Sequence, residues 1–392
     1  MADAVAAGPL TGVTVLDLST VGPAARCTHL LAGYGASVVK VGPVPTAGAE
    51  PIGPPFFSYS GHRGMRRALF DLKDVQGKEA FLALATVSDV LVESFRPGVM
   101  DRLGLGYKAV SARNPGVVYC STSGYGQDGP HAQWAGHDLD YLAVGGYLAM
   151  SGPGEGGAPP IPGATIADAA AGGLHAALAI TTALAGRSSS GRGAYLDVSV
   201  ADGVLWLMSL AIDEQLALGG DVRPGHDVLS GRYACYAVYG TQDDKWLAVG
   251  AIEAKFFANL CNALGCSELA ALQYDDEAQP RLRAALADTF AGRTLDEWVA
   301  ALSGGDTCVA PVLEVGEVVT DPQFSARQVV GVASHPEHGE LRQLAPLLAG
   351  MPRHEGVVEL PDPGQSDTEH LLKEAGVDGE TVARWVAQGV VA

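Results

Sequence analysis

The sequence predicts an α/β protein, with a Rossmann-like, parallel-sheet large domain and a smaller α+β domain. Three observations predict it. Short apolar, β-branched runs alternate with helix-patterned segments from residue 13 to about residue 200, as a parallel sheet with crossover helices requires. A stretch at 218–230 carrying Gly219, Gly220, Pro224 and Gly225 then interrupts that pattern. Beyond it, two strand-like runs flank a polar turn, which is how a hairpin reads.

The elements follow in order. Residues 13–18 (Val-Thr-Val-Leu-Asp-Leu) are an apolar run, 23–34 read as a helix, and 37–41 (Ser-Val-Val-Lys-Val) are a second run, giving a strand-helix-strand start. Residues 77–85 are helix-like, 90–93 strand-like, and 117–122 form a further strand that leads into the turn 124–130 (Gly-Tyr-Gly-Gln-Asp-Gly-Pro). Ligands of such sheets sit beyond the carboxyl ends of the strands, where 124–141 would lie. A helix is expected over 168–185, a polar turn at 186–193, a strand at 194–200 and a long apolar helix to about Ala217. In the second unit, 233–239 and 245–249 read as a hairpin around Thr241–Asp244, followed by helices near 254–264, 281–290 and 295–302. Residues 335–365 are expected to return the chain with little regular structure before a last helical region from Asp367. The expected organisation is a large domain from 1–217, a linker at 218–230, a small domain at 231–320 and a return segment at 321–392 completing the large domain.

The 392 residues carry a formal charge of −19, which argues against a nucleic-acid partner because phosphate contacts need a basic face. The first residues lack a charged and an apolar segment of a signal peptide, so a cytoplasmic location is expected. Residues 169–186 are weakly polar but rich in Ala and Gly and contain His175, Thr181 and Thr182, which predicts a buried helix and no membrane span. Six scattered cysteines without a CxxC pair predict reduced, mostly buried thiols and neither disulfides nor zinc. His335-Pro-Glu-His338 reads as a surface loop, since Pro336 opposes the helix that would align the histidines. The first strand is not followed by GxGxxG, so the nicotinamide-binding fingerprint is absent.

Three residues suit proton chemistry, and each has an ordinary structural alternative. Asp168 opens an Ala-rich helix, where free N–H groups favour a carboxylate or a developing oxyanion; a plain N-cap would look the same. His137, after Gly136 in a glycine-rich loop, suits proton transfer near neutral pH, though a loop histidine is often simply solvated. Glu253 sits between a strand and a helix, as a cap or as the carboxylate that orients an imidazole. The sparse basic residues gather at Arg63, Arg66, Arg67, Lys73, Arg96 and Arg102, which suits a nucleotide diphosphate or a solvated patch.

Residues 91–106 (Leu-Val-Glu-Ser-Phe-Arg-Pro-Gly-Val-Met-Asp-Arg-Leu-Gly-Leu-Gly), the turn at 124–130 and the Asp168 segment together resemble the family III CoA-transferases (CaiB/BaiF type). That superfamily also contains the 2-methylacyl-CoA racemases. The resemblance runs from Gly8 to Glu369. Gly136-His137-Asp138 and Val249-Gly-Ala-Ile-Glu253 lean toward the racemases, because the transferase branch usually has no histidine at the position of His137. The resemblance implies that His137 and Asp168 are acid/base groups on opposite faces of the substrate α-carbon, with Glu253 the partner of His137. It implies CoA contacts at Phe70, Asp71, Leu72, Lys73, Ser94, Phe95, Arg96, Arg102, Gly136, Asp138 and Tyr141. Coenzyme A would enter as part of an acyl-CoA substrate, with no tightly bound cofactor and no metal. Where such racemases often carry a CoA-contacting arginine, this chain has Gly42-Pro43, and Arg63, Arg66 or Arg67 would have to substitute. An interlocked homodimer is implied. The alternatives are CoA transfer through a covalent Asp168 intermediate and a non-catalytic acyl-CoA-binding protein.

Overall fold

A computed structural model describes residues 8–45, 64–220, 222–336, 338–353, 356–360 and 365–392. The chain divides into two compact units, one of residues 1–147, 161–209 and 322–392, the other of 148–160 and 210–321. In the first, six parallel strands are ordered β3-β2-β1-β4-β5-β6. They are β1 Thr14–Asp17, β2 Ser37–Gly42, β3 Arg66–Leu69, β4 Val90–Glu93, β5 Val118–Ser123 and β6 Ala194–Ser199. The strand order reverses between β1 and β4, which opens a crevice at their carboxyl ends.

Alternation within the strands divides the core in two. Leu16, Leu91 and Tyr119 face a layer with Phe70, Phe81, Leu371 and Trp385, while Val15, Val90, Val118 and Cys120 face Ala24, Cys27, Leu31, Ala176 and Ile180. The first helix, Gly22–Gly33, starts with Pro23, whose missing N–H costs nothing in the first turn. Asp17 closes β1 fully buried and accepts bonds from Thr28 Oγ1, Ser19 Oγ at 2.5 Å and Lys40 Nζ at 2.8 Å, so its charge is compensated.

The second unit pairs β7 Tyr236–Gly240 and β8 Trp246–Gly250 antiparallel, with Asp244 in left-handed backbone at the turn (φ 58°). A short β9, Val309–Pro311, joins β8. The helices Ala254–Ala263, Gln279–Phe290 and Leu295–Leu302 close a core around Phe257, Phe290 and Trp298.

Several expectations are corrected. The return segment is not irregular: β10 Val330–His335, β11 Gly339–Leu344 and β12 Val357–Glu359 form a three-stranded sheet. These strands are short and half exposed, so they carry little hydrophobic signal. His335 is no surface-loop residue; it is 3% exposed at the end of β10 and its ring stacks on His338 at 4.7 Å. The helix from Asp168 runs on to Ser190, where Gly191 caps it in left-handed backbone, and the serines return hydrogen bonds to Ala185 and Gly186 carbonyls. Its first eight residues, Ala167–Leu174, are π-helical. The apolar helix expected to Ala217 is two, Val200–Leu207 and Ser209–Leu218. Arg66 and Arg67 belong to β3, an element that their charge concealed. Four cysteines are buried, while Cys266 is half-buried and Cys308 exposed. Among the described residues, Ala167–Ser190 is the one helix long and apolar enough to cross a membrane; it is not the buried helix expected, since 28% of that stretch is buried, with Ala176 and Ile180 against the sheet.

Candidate active site

The site lies at the crevice end of the sheet. Glu93 ends β4 with 4% exposure, accepts the Ser121 hydroxyl from β5, and accepts the Phe95 N–H at 2.8 Å. Those bonds hold the loop 94–97 against the strand ends. Burial raises the Glu93 carboxyl above its usual range, against the lowering effect of Ser121 and Phe95.

β5 runs into the glycine turn, and Tyr141 leaves no room for a side chain at Gly124 or, further on, at Gly136. A Cβ on Gly124 would lie 2.4 Å from Tyr141 Cε1, and one on Gly136 would lie 2.8 Å from the same atom. Tyr141 meets Tyr125 edge-on at 5.3 Å and donates its hydroxyl to the Gly136 carbonyl at 2.6 Å. Burial, then the Asp168 charge, pushes the Tyr141 phenol up to about 12, so it stays a donor. His137 is the N-cap residue of the helix Asp138–Val144 and its backbone N–H donates to Asp140 Oδ2 at 2.9 Å. Its exposed side chain borders a cleft of about 370 Å³ shared with Ser94–Pro97, Ser123, Trp134, Gly136 and Tyr141. Ser123 Oγ is buried with no hydrogen-bond partner among the described residues, an acceptor and donor held ready for a ligand.

The Asp138 carboxylate receives the Asp168 N–H at 2.8 Å and so ties the His137 helix to the Asp168 helix. Asp168 is half-buried, and burial, then Asp138, raises its carboxyl, while Arg26 and His137 oppose the rise. A Cβ on Gly22 would stand 3.8 Å from Asp168 Oδ2, which places the N-terminus of the first helix at that carboxylate. The structure thus brings His137, Asp138, Tyr141 and Asp168 together. It takes away one expectation: the Asp168 N–H is held by Asp138 and the Ala169 N–H by the Thr165 carbonyl, so neither stands ready for an oxyanion.

Of the expected CoA-contacting positions, Ser94, Phe95, Arg96, Gly136 and Tyr141 border the cleft. Arg96 also borders a second cavity of about 330 Å³ with Glu93, Tyr107 and Tyr195. Phe70 is fully buried in the core, Leu72 packs against that core, and Asp71 and Lys73 are exposed, with Asp71 Oδ1 accepting the Lys73 N–H. Arg102 is exposed on the short helix Val99–Leu103 that follows the 94–97 loop. Arg66 is ion-paired with Glu374 at 2.8 Å and bonded to Ser37, which ties it to the fold; Arg63 lies outside the described residues. Glu253 stands exposed at the N-cap of Ala254–Ala263 in the second unit, and its side chain makes no capping bond. Sequence reasoning missed Glu93, Ser123, Trp134 and Arg26. The strand-end acid Glu93 was the one readable signal among them.

A model of CoA-transferase family III matches residues 10–367. The chain is 34% identical over 375 residues to the alpha-methylacyl-CoA racemase of Homo sapiens, covering 95% of each chain. It is 31% identical over 342 residues to the acetyl-CoA:oxalate CoA-transferase of Acetobacter aceti, covering 82% of this chain and 85% of that one. A solved CAIB/BAIF family protein from Brucella suis superimposes with a TM-score of 0.75 at 26% identity, over 95% of this chain and all of the other (100%).

Proposed function

This chain belongs to CoA-transferase family III, and on that premise we propose that it inverts the α-carbon of a 2-methylacyl-CoA thioester by two-base proton transfer. The observation that carries the proposal is His137 on the cleft wall, linked through Asp138 to a half-buried Asp168. A thioester acidifies its α-hydrogen only modestly, so a positioned base must remove the proton while donors stabilise the enolate oxygen. In one direction neutral His137 takes the α-proton, the C–H electron pair moves into the enolate, and protonated Asp168 delivers a proton to the opposite face. In the other direction the Asp168 carboxylate is the base and the His137 imidazolium the acid. The raised Asp168 carboxyl supports this reading, because it keeps a larger neutral fraction than an exposed aspartate would. The unpartnered Ser123 hydroxyl is the donor we assign to the thioester or enolate oxygen. Glu253 keeps the supporting role that the resemblance implies, and Glu253→Gln is expected to slow exchange without abolishing it.

The test is to incubate one epimer of a 2-methylacyl-CoA with the protein in deuterated water. Deuterium at the α-carbon and appearance of the second epimer are expected; an unlabelled α-carbon sinks the reading. The second reading, CoA transfer, is favoured by the similarity to the acetyl-CoA:oxalate CoA-transferase: Asp168 would attack the thioester carbonyl, expel the CoA thiolate and hold the acyl group as an anhydride. A mass change on an Asp168 peptide after acyl-CoA treatment and borohydride trapping identifies it. His137→Ala is expected to abolish exchange and to spare any transfer. A homodimer and a cytoplasmic location belong to the same proposal, and a light-scattering mass of one chain would contradict the dimer.

A further inference from the structure

We propose that Arg26 is a positioning residue for Asp168: from the first helix it ties down the segment that leads into the Asp168 helix and sets a positive charge where the two helices meet. Arg26 Nη2 donates to Thr165 Oγ1 at 2.7 Å, 139 residues along the chain and three before Asp168. The two helices approach through glycine. A Cβ built on Gly173 would lie 3.0 Å from both Arg26 Cβ and the Asp168 carbonyl oxygen, and one on Gly172 would lie 2.4 Å from Pro23 Cβ.

The chemistry of the guanidinium is unusual for a structural arginine. Among the described residues its buried Nε has no hydrogen-bond partner and Arg26 forms no ion pair within 4.0 Å. A half-buried cation left without a carboxylate contact is costly, and its charge lowers the Asp168 carboxyl. Asp138, Tyr141 and His137 face that carboxylate from the neighbouring helix, and of these His137 alone lowers it with Arg26. Asp202 on the packed helix Val200–Leu207 and His175 in the Asp168 helix are titratable groups of the elements packed against it. Arg26 therefore opposes the rise that burial and Asp138 impose on the Asp168 carboxyl and favours the carboxylate form that a base requires.

This inference rests on the racemase reading, so the experiment separates the two. Deuterium exchange is measured against pH from each epimer for the wild type, Arg26→Met, Arg26→Lys and Thr165→Val. With Arg26→Met the Asp168 carboxyl rises: the ascending limb for the epimer on which Asp168 is the base, and the descending limb for the other, both move about one unit to higher pH. Arg26→Lys restores limbs close to wild type, and Thr165→Val lowers the rate with smaller movement of the limbs. Arg26→Gln replaces Arg26→Met if the latter does not fold. Unmoved limbs with a lowered melting temperature would reduce Arg26 to a packing residue and overturn the proposal. If the wild type itself shows no exchange, the racemase reading fails. The inference is then read without turnover, by carbon-13 NMR titration of the Asp168 carboxyl, assigned with Asp168→Asn, in wild type and Arg26→Met. An equal midpoint in both overturns it.

Discussion

Glu93 does for the loop 94–97 what a cap does for a helix. Glu93→Ala removes the carboxylate that accepts the Ser121 hydroxyl and the Phe95 N–H, a loss of about 1–3 kcal/mol. A lowered urea midpoint and a raised KM for acyl-CoA are expected together; a changed midpoint with unchanged KM would show that the loop does not bind the substrate. The pH dependence follows from sign. Glu93 and Asp168 both titrate above their ordinary values, so between those values and the raised ones the folded state binds more protons than the unfolded chain. Stability therefore falls as pH rises through that window. Glu93→Gln is expected to flatten the fall in denaturation curves taken upward from pH 4.5, the ordinary glutamate value; an unchanged slope contradicts it. His137 and Asp168 were legible because glycines and an Ala-rich run isolate them. Arg26 was not, since nothing adjacent in sequence marks a lone arginine inside an apolar helix.

The helices around Asp168 meet through glycines, and this packing decides where the carboxylate points. A Cβ on Gly203, in Val200–Leu207, would fall 2.1 Å from the Ala171 carbonyl oxygen, and one on Gly145, which ends the His137 helix, would fall 2.3 Å from Val204 Cγ1. Gly203→Ala must push backbone against backbone, so a loss of about 1–3 kcal/mol is expected in the urea midpoint, with a larger fall in exchange rate than in stability at working temperature. A rate that merely follows the folded fraction would show that helix placement does not govern the site. The expected α-helix at Asp168 is π-helical over Ala167–Leu174, a widening found often at functional sites. No hydrophobic period distinguishes those two geometries over eight residues. The strands β10 to β12 escaped for a different reason: they are three to six residues long, and β10 is mostly half-buried while β11 and β12 are largely exposed, so they lack the apolar alternation that identifies a strand.

The net charge of −19 opposes an anionic acyl-CoA at long range, while Arg96 at the cleft acts only close in. Raising ionic strength shortens the screening length from ~30 Å at 0.01 M to ~10 Å at 0.1 M. Over that range kcat/KM for acyl-CoA is expected to rise, and a fall would assign control to the local basic side chains. The discontinuous first unit, with 161–209 and 322–392 completing it, shows what sequence pattern does and does not carry. Alternating apolar runs and helical periods are local, so the sequence by itself determined the parallel α/β sheet, the glycine turn at its carboxyl edge, the hairpin unit and the family. Contacts between distant residues depend on strand order, helix crossing and glycine clearance. Only the tertiary structure could decide that Asp138 caps Asp168 across 30 residues, that Arg26 reaches Thr165 across 139, and that Glu93 holds the cleft loop, because each follows from where packed elements meet.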